Sequence, residues 1–352
     1  MRRSGSTCAR CCRQDLEQSA RQSQALRRWR NVPDAAALMR MALAYALSDL
    51  SLKDVAAWAS TLQVAEITGP GLFYRLREAE AWLERVLAQL LSEQAPRVIG
   101  GWPIRVVDAT VLNGPGPPRA GQPSVQWRAH VLINPATGAL DRVELTDDAG
   151  GEKLARHPLA KGGLLLGDRA YGTARGLHAA RQAEAHVVVR FNPVTLRTCD
   201  TERRRLFLQE KEAPVPALGA SEFALLVPVP PPATKSHKPW DSAKAIAWLE
   251  ARAIAARTRT GEVIWILTTV PARHLAARDA MALYRLRWQI ELLFKRLKSL
   301  LHLDGLPSRQ GPTAKSWMLA RLIAAALAQR LVQPSGPLSP WGYELRIQPS
   351  HP

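Results

Sequence analysis

The sequence predicts an α/β chain whose sheet is preceded by an all-α segment, and three observations carry that prediction. The hydrophobic period changes near residue 97, from helical spacing to short apolar runs. Two of those runs, Ile104-Arg105-Val106-Val107-Asp108 and Leu164-Leu165-Leu166-Gly167-Asp168, end in an acid. A long amphipathic helix is expected from about Ala276 to Leu301, stopping before Gly305 and Pro307.

Residues 1–33 read as a basic arm, with a disordered, solvated tail as the competing expectation. Eight arginines in the first thirty residues face only Asp15 and Glu17, an imbalance that favours an arm reaching for a polyanion. Cys8 and Cys11 have the spacing of a zinc knuckle. No second pair or nearby histidine completes it, so these two and Cys12 are expected as reduced thiols.

Residues 34–95 read as a helical domain. Asp34 can cap a helix over Ala35–Leu47 and Ser51 one over Leu52–Leu62. A break at Thr68-Gly69-Pro70-Gly71 precedes a longer helix, Leu72–Leu91. Short helices joined by a tight turn suit a helix-turn-helix-like DNA-binding domain, although a generic helical bundle shows the same pattern.

Residues 96–191 form the first part of the α/β core. Strands are expected over Val98–Ala109, Val125–Ile133 and Ala139–Leu145, the last two joined by the turn signal Asn134-Pro135-Ala136-Thr137-Gly138. The run ending at Asp168 follows, then a helix over Arg175–Glu184 and a strand over His186–Phe191. Residues 192–271 read as a β-rich insertion. It contains the charged Glu202-Arg203-Arg204-Arg205, a strand Phe223–Val227, a Pro-rich break at Pro228–Pro232, and a strand pair Ala253–Arg257 and Val263–Thr269. Residues 272–332 supply the final helices and 333–352 an irregular tail.

With 48 Lys and Arg against 30 Asp and Glu, the formal net charge is +18, which calls for a polyanionic partner. Nucleic acid is the first candidate and an anionic membrane surface the second. The most apolar stretch, Trp317 to Val332, is interrupted by Arg321 and Arg330, so no membrane span and a cytoplasmic location are expected.

Strand ends in an open α/β sheet are where metals and ligands bind, which makes Asp108 and Asp168 candidates, although Asp also ends strands as an ordinary turn residue. On the helix that follows, about 100° per residue places Tyr284, Arg287, Glu291 and Lys298 within roughly 60° of arc. That stripe borders the apolar face, so a carboxylate there can reach a cleft between helix and sheet; Lys295 and Trp288 flank it. Asp141, Asp147, Asp148 and Glu152 fall on a hairpin and a polar loop and read as solvated. His130, His157, His178 and His186 lack ligand spacing.

These residues carry a resemblance. Tyr284, Arg287, Glu291 and Lys298 match the Y-x2-R-x3-E-x6-K signature of a subgroup of DDE transposases of bacterial insertion sequences. Asp168-Arg169-Ala170-Tyr171-Gly172 resembles the family's D-R-x-Y segment, and Asp108-Ala109-Thr110 its first-acid segment. The resemblance, over about residues 50–330, implies a ribonuclease H-like catalytic core with a β-rich insertion between the second Asp and the Glu. The 123 residues from Asp168 to Glu291 (291 − 168) leave room for one.

It further implies Asp108, Asp168 and Glu291 as catalytic, metal-holding carboxylates. Hydrolysis of a phosphodiester needs an activated water and a stabilised leaving oxyanion, which two Mg²⁺ ions roughly 3.5–4 Å apart supply; Mn²⁺ can substitute. Tyr284, Arg287, Lys295, Lys298 and Arg169 are expected to contact DNA phosphates. The resemblance offers Trp265, in Trp265-Ile266-Leu267-Thr268-Thr269, as a residue that stacks on a base flipped from the transposon end, although both faces of its strand are apolar, which favours a core position. The expected partners are double-stranded DNA, as transposon ends and target, and a second copy of the chain when paired ends are bound. The competing readings are an inactive DNA-binding relic or regulator, and a ribonuclease H-like nuclease without strand transfer.

Overall fold

The structure, a computed structural model, describes residues 16–26, 31–92, 98–99, 102–113, 126–135, 139–147, 150–211, 215–216, 219–231, 241–258, 260–285, 287, 306–307 and 311–332. The cysteine cluster at Cys8, Cys11 and Cys12 and the tail after Val332 lie outside these residues.

The N-terminal segment is ordered where it is described. A helical stretch α1 (16–22) is tied to the helices that follow. Glu17 accepts a hydrogen bond from the Ala35 N–H at 2.7 Å, and the Trp82 indole N–H donates to Ser19 Oγ at 3.0 Å. Residues 16–26 are therefore packed structure, not a solvated tail.

Helices α2 (Ala35–Leu47) and α3 (Leu52–Thr61) begin where their caps require. The Asp34 side chain accepts from the Ala37 N–H, and Ser51 forms a reciprocal capping box with Asp54. The helix expected over 72–91 is instead two, α4 (Gly69–Glu78) and α5 (Glu80–Ser92). Thr68 caps α4 with Pro70 in its first turn, so the Gly-Pro-Gly segment starts the helix. At Ala79 the N–H is shared between the Arg75 and Leu76 carbonyls, a local tightening that turns the axis.

The sheet contains β1 (Val98–Ile99), β2 (Trp102–Asn113), β3 (Gln126–Asn134), β4 (Ala139–Asp147), β5 (Leu164–Gly167), β6 (His186–Arg190), β7 (Ser221–Val229), β8 (Ala247–Arg257) and β9 (Val263–Thr268). Its order is β4-β3-β2-β5-β6-β9-β8-β7, with β1 paired to the start of β2. Strands β2, β3 and β4 are antiparallel neighbours, and β2, β5 and β6 run parallel. The β5–β6 crossover is α6 (Ala174–Gln182). This half is the ribonuclease H-like arrangement that the resemblance implied.

The segment 192–271 does not form a separate layer. β9 pairs antiparallel with β6, and β8 and β7 continue the same sheet. Pro228, expected to mark a break, lies inside β7 opposite Trp248. β7 ends the sheet, and an edge strand tolerates a missing donor. At the β8–β9 turn Gly261 has φ +88, a conformation that favours glycine.

Two apolar layers flank the sheet. One face packs Val107, Leu165, Val187, Val189 and Trp265 with Leu177 and Ala180 of α6. The other packs Val106, Val131, Leu166 and Ile266 with the N-terminal helices and with α7 (Ala277–Arg285) and α8 (Gly311–Val332). α8 lies along α2, α4 and α5. Lys315 reaches Glu80 at 2.6 Å and Glu84 at 3.1 Å, and Ser316 Oγ donates to the Leu76 carbonyl at 2.6 Å. The apolar stretch around Trp317 is thus a buried helix, and no described helix is long and apolar enough to cross a membrane. The helix expected from 276 to 301 is described only as α7.

Candidate active site

Register alone brings the two aspartates together. β2 and β5 are parallel, with Ile104 beside Leu164 and Val106 beside Leu166. Two residues further on stand Asp108, which the structure places inside β2 and not at its end as expected, and Asp168, just past the end of β5. By alternation they share a face with Val106 and Leu166, the face on which α7 packs. Asp168 Oδ1 accepts from the Ala170 N–H at 2.9 Å, capping the short turn Arg169–Tyr171, and Asp108 Oδ1 accepts from the Ala109 N–H at 2.8 Å. These local bonds orient both carboxylates. Gly172, which ends the turn, has no room for a side chain: a Cβ would lie 2.5 Å from the Arg190 carbonyl.

The end of α7 completes what is described. The Tyr284 carbonyl accepts from the Arg287 N–H at 3.1 Å, and the Arg287 guanidinium lies 5.6 Å from the Tyr284 ring centre. Arg287 is close enough to Asp108 to favour its charged form, and Tyr284 feels the charge of Asp168. Burial raises the Tyr284 hydroxyl above the ordinary range, so it is a donor. Arg169 is exposed beside Asp168. Glu291, Lys295, Lys298 and Trp288 lie outside the described residues.

Three expectations require correction. Trp265 is 2% exposed, its ring 5.7 Å from Phe223 and 6.3 Å from Phe191. Both faces of β9 are covered, so the indole is core and is not presented to a flipped base. Glu152 is not a solvated loop acid. The loop from β4 to β5 holds it partly buried, 3.9 Å from Arg128, and burial raises its carboxyl above the ordinary range. The sequence holds no local signal for this, because the loop that carries Glu152 is placed by tertiary packing. Asp141 is also not solvated; it pairs with Arg105. His130 and His157 are buried and neutral. Burial, then Arg156, pushes His130 down to about 4; burial, then His130, does the same to His157.

Asp108 is pushed up to about 7, first by burial, against the Ala109 hydrogen bond, with Asp168 and Glu152 raising it further and Arg287 lowering it. A divalent cation between Asp108 and Asp168 would remove that repulsion, so the pair fits a metal. Among the described residues no group of three side chains is placed to hold one.

The raised value has a consequence for stability. The unfolded carboxyl titrates near ~3.9, so between there and about 7 the folded chain keeps a proton that the unfolded chain releases. Metal-free stability therefore falls as pH rises through that window and levels off above it. We predict that, in chelator, the melting temperature of the wild type falls more between about pH 5 and pH 7.5 than that of Asp108→Asn, which cannot titrate. Superimposable profiles would contradict the burial of Asp108.

A ribonuclease H-like sheet with one acid inside β2 and a second just past the end of the neighbouring β5, and a Tyr/Arg pair set against them, defines a metal-dependent phosphodiester-processing site. The chain belongs to the DDE transposases: residues 100–327 match the family model described as the transposase DDE domain. It is 34% identical, over 92% of its length and 91% of theirs, to the putative transposase InsL for insertion sequence element IS186A of Escherichia coli K12 and to the transposase for insertion sequence element IS421 of Escherichia coli. A remote structural likeness, at TM-score 0.46 and 7% identity over 90% of this chain and 72% of the other, is to a piggyBac transposase synaptic complex with hairpin DNA.

Proposed function

We propose that this transposase binds the ends of an insertion sequence, cleaves DNA there and joins the freed end to a target, using Mg²⁺ or Mn²⁺ held by Asp108, Asp168 and Glu291. The observation that carries this reading is the β2–β5 register, which sets Asp108, within β2, next to Asp168, just past β5, with Tyr284 on α7 and Arg287 just after it set against them. Family membership makes the chemistry a metal-dependent phosphoryl transfer.

When bound, the ions would supply an activated nucleophile and neutralise the leaving oxygen. The chain's own residues do the rest. Asp108 and Asp168 present oxygen ligands fixed by their backbone bonds. Arg287 neutralises a phosphate beside the pair, with Tyr284 donating to the same group; Lys295, Lys298 and exposed Arg169 extend that contact along the strand. The helices of residues 34–95 read the transposon end, and two copies of the chain pair two ends on the nucleoid.

Strand transfer separates this reading from a nuclease. Given pre-cut ends with free 3′-OH groups and a supercoiled target, the protein is expected to form joined products that require divalent metal. Hydrolysis of the ends with no joining would favour the nuclease.

Arg287→Ala is expected to weaken engagement of the cleaved end more than binding to random DNA, because its charge is positioned at the acid pair and is not spread over the surface. Equal losses on both DNAs, read by gel shift at fixed salt, would reduce Arg287 to general charge.

A further inference from the structure

We propose that the hairpin 198–206 and the start of β8 form a further DNA contact, in which Arg203 and Arg205, each stacked on an aromatic ring, bind backbone phosphates of the duplex away from the acid pair. The proposal rests on this chain binding DNA and adds to that reading a surface outside both the helical domain and the catalytic residues.

The run Glu202-Arg203-Arg204-Arg205 is uniform charge in the sequence, and the structure divides it. Arg204 is neutralised: its Nε donates to Asp200 Oδ2 at 2.8 Å and its Nη2 to Glu202 Oε2 at 2.7 Å. Arg203 and Arg205 are exposed, and among the described residues neither is paired with a carboxylate. Their partners are rings. The Arg203 guanidinium lies 4.9 Å from the Trp248 ring centre, and that of Arg205 5.4 Å from the Phe207 ring centre. A guanidinium stacked on a ring keeps its N–H edge free, and that edge matches a phosphate with two parallel bonds. The two arginines stand two residues apart, no more than about 7 Å between Cα atoms, so both can address one strand. Phe207 is 45% exposed, while Leu206 and Leu208 on either side of it turn into the core layer.

The hairpin is firmly held. The Asp200 N–H donates to the Arg204 carbonyl and the Leu206 N–H to the Thr198 carbonyl, each at 2.9 Å. Beyond the edge of β7, Cys199 exchanges two backbone bonds with Leu226, at 2.9 and 2.8 Å. Arg203 closes the turn at φ +65, in the left-handed region where arginine is strained. Glycine suits that position better, so turn geometry does not explain the arginine.

The contact shares a sheet face with the acids. Trp248 stands six residues before Ile254 on β8, and by alternation both turn to the α7 side. Ile254 pairs with Ile266 and Ile266 with Arg190, while Val189 pairs with Gly167, so Ile254 is level with Asp168. Trp248 is therefore about 20 Å from that level along the strands, and three strands, about 14 Å, across from β5. A duplex is long enough to span both.

The test measures affinity of the full chain for a duplex carrying the ends of its element over a series of salt concentrations, with melting temperature and sedimentation recorded alongside. Combining Arg203→Gly with Arg205→Gln removes two phosphate contacts and should make the slope of log affinity against log salt shallower by about 1.8, at about 0.9 per phosphate. Melting temperature should hold, because glycine relieves the left-handed position. Arg204→Gln should leave the slope unchanged, since Asp200 and Glu202 already satisfy that charge. Arg203→Lys with Arg205→Lys, which keeps both charges, should return the slope toward wild type. An unchanged slope in the first double variant overturns the proposal; a changed oligomeric state alongside it would assign the patch to a second copy of the chain. An equal loss in Arg204→Gln overturns it too, because the arginines would then be general charge. So does a slope that stays shallow in the double lysine variant, which would report a damaged hairpin. Wild-type affinity without salt dependence would instead count against DNA binding by the chain as a whole, a different result from failure of this patch.

Discussion

Asp108→Asn and Asp168→Asn are each expected to lower DNA cleavage by more than about a hundredfold, because losing an outer-shell partner alone costs 10–100-fold and these residues would be direct ligands. Glu291→Gln should do the same. DNA binding should survive in all three, since the chain keeps its +18 excess of positive charge. The isosteric amides keep the size of each side chain, so the sheet edge should hold. Asp168→Asn retains an oxygen that can accept from the Ala170 N–H, the bond that caps the Arg169–Tyr171 turn. Cleavage assays on labelled ends, paired with gel shifts, separate the two effects. Substantial metal-dependent cleavage by Asp108→Asn would remove it from the centre.

The second large effect is on stability. Trp265→Ala is expected to cost about 3–5 kcal/mol, the range for deleting a buried large aromatic side chain. The indole fills the space between Phe191 and Phe223 on a strand buried from Trp265 onward. Thermal unfolding should shift down by many degrees, and both cleavage steps should fall together as folded protein is lost. A variant with wild-type melting behaviour that stalls only at the second strand would instead restore a base-stacking role.

What the sequence made legible was local chemistry. Asp34 and Ser51 cap helices because a short acceptor before an apolar run satisfies free N–H groups whatever the tertiary fold. Asp168 was visible as a strand end; Asp108 looked like one too, but β2 runs on to Asn113, and it is the parallel register that brings the two acids together. What was hidden depends on distant contacts. Pro228 looked like a break because its tolerance requires knowing that β7 is an edge. Lys315 and Ser316 bind α8 to helices more than 200 residues earlier in the chain, at separations of 235 and 240, and no window of sequence contains that. The burial of Glu152 was missed for the same reason: nothing in Gly150-Gly151-Glu152 distinguishes a solvated turn from a loop folded against Arg128 of β3. Trp265 was ambiguous because both faces of its strand are apolar, and only the packing of Phe223 from β7 decided it.

The interlocking of α8 with α2, α4 and α5 also bears on how the helical domain can be studied. Deleting residues 1–96 would strip the cover from Trp317, Met318 and Leu319, so a fragment that began near Arg97 would lose fold as well as DNA contacts. Surface substitutions serve better. Tyr74 is 56% exposed, with Arg77 stacked 5.5 Å from its ring centre, and replacing that pair tests the domain without unroofing the core.

The most direct measurement incubates the purified chain with DNA carrying the ends of its own element, with Mg²⁺, with Mn²⁺ or with chelator, and maps every nick at nucleotide resolution. The account predicts nicks at the element boundary that leave a 3′-OH, appear only with divalent metal, and vanish in Asp108→Asn. Boundary nicks that persist in chelator, or in Asp108→Asn, would contradict it.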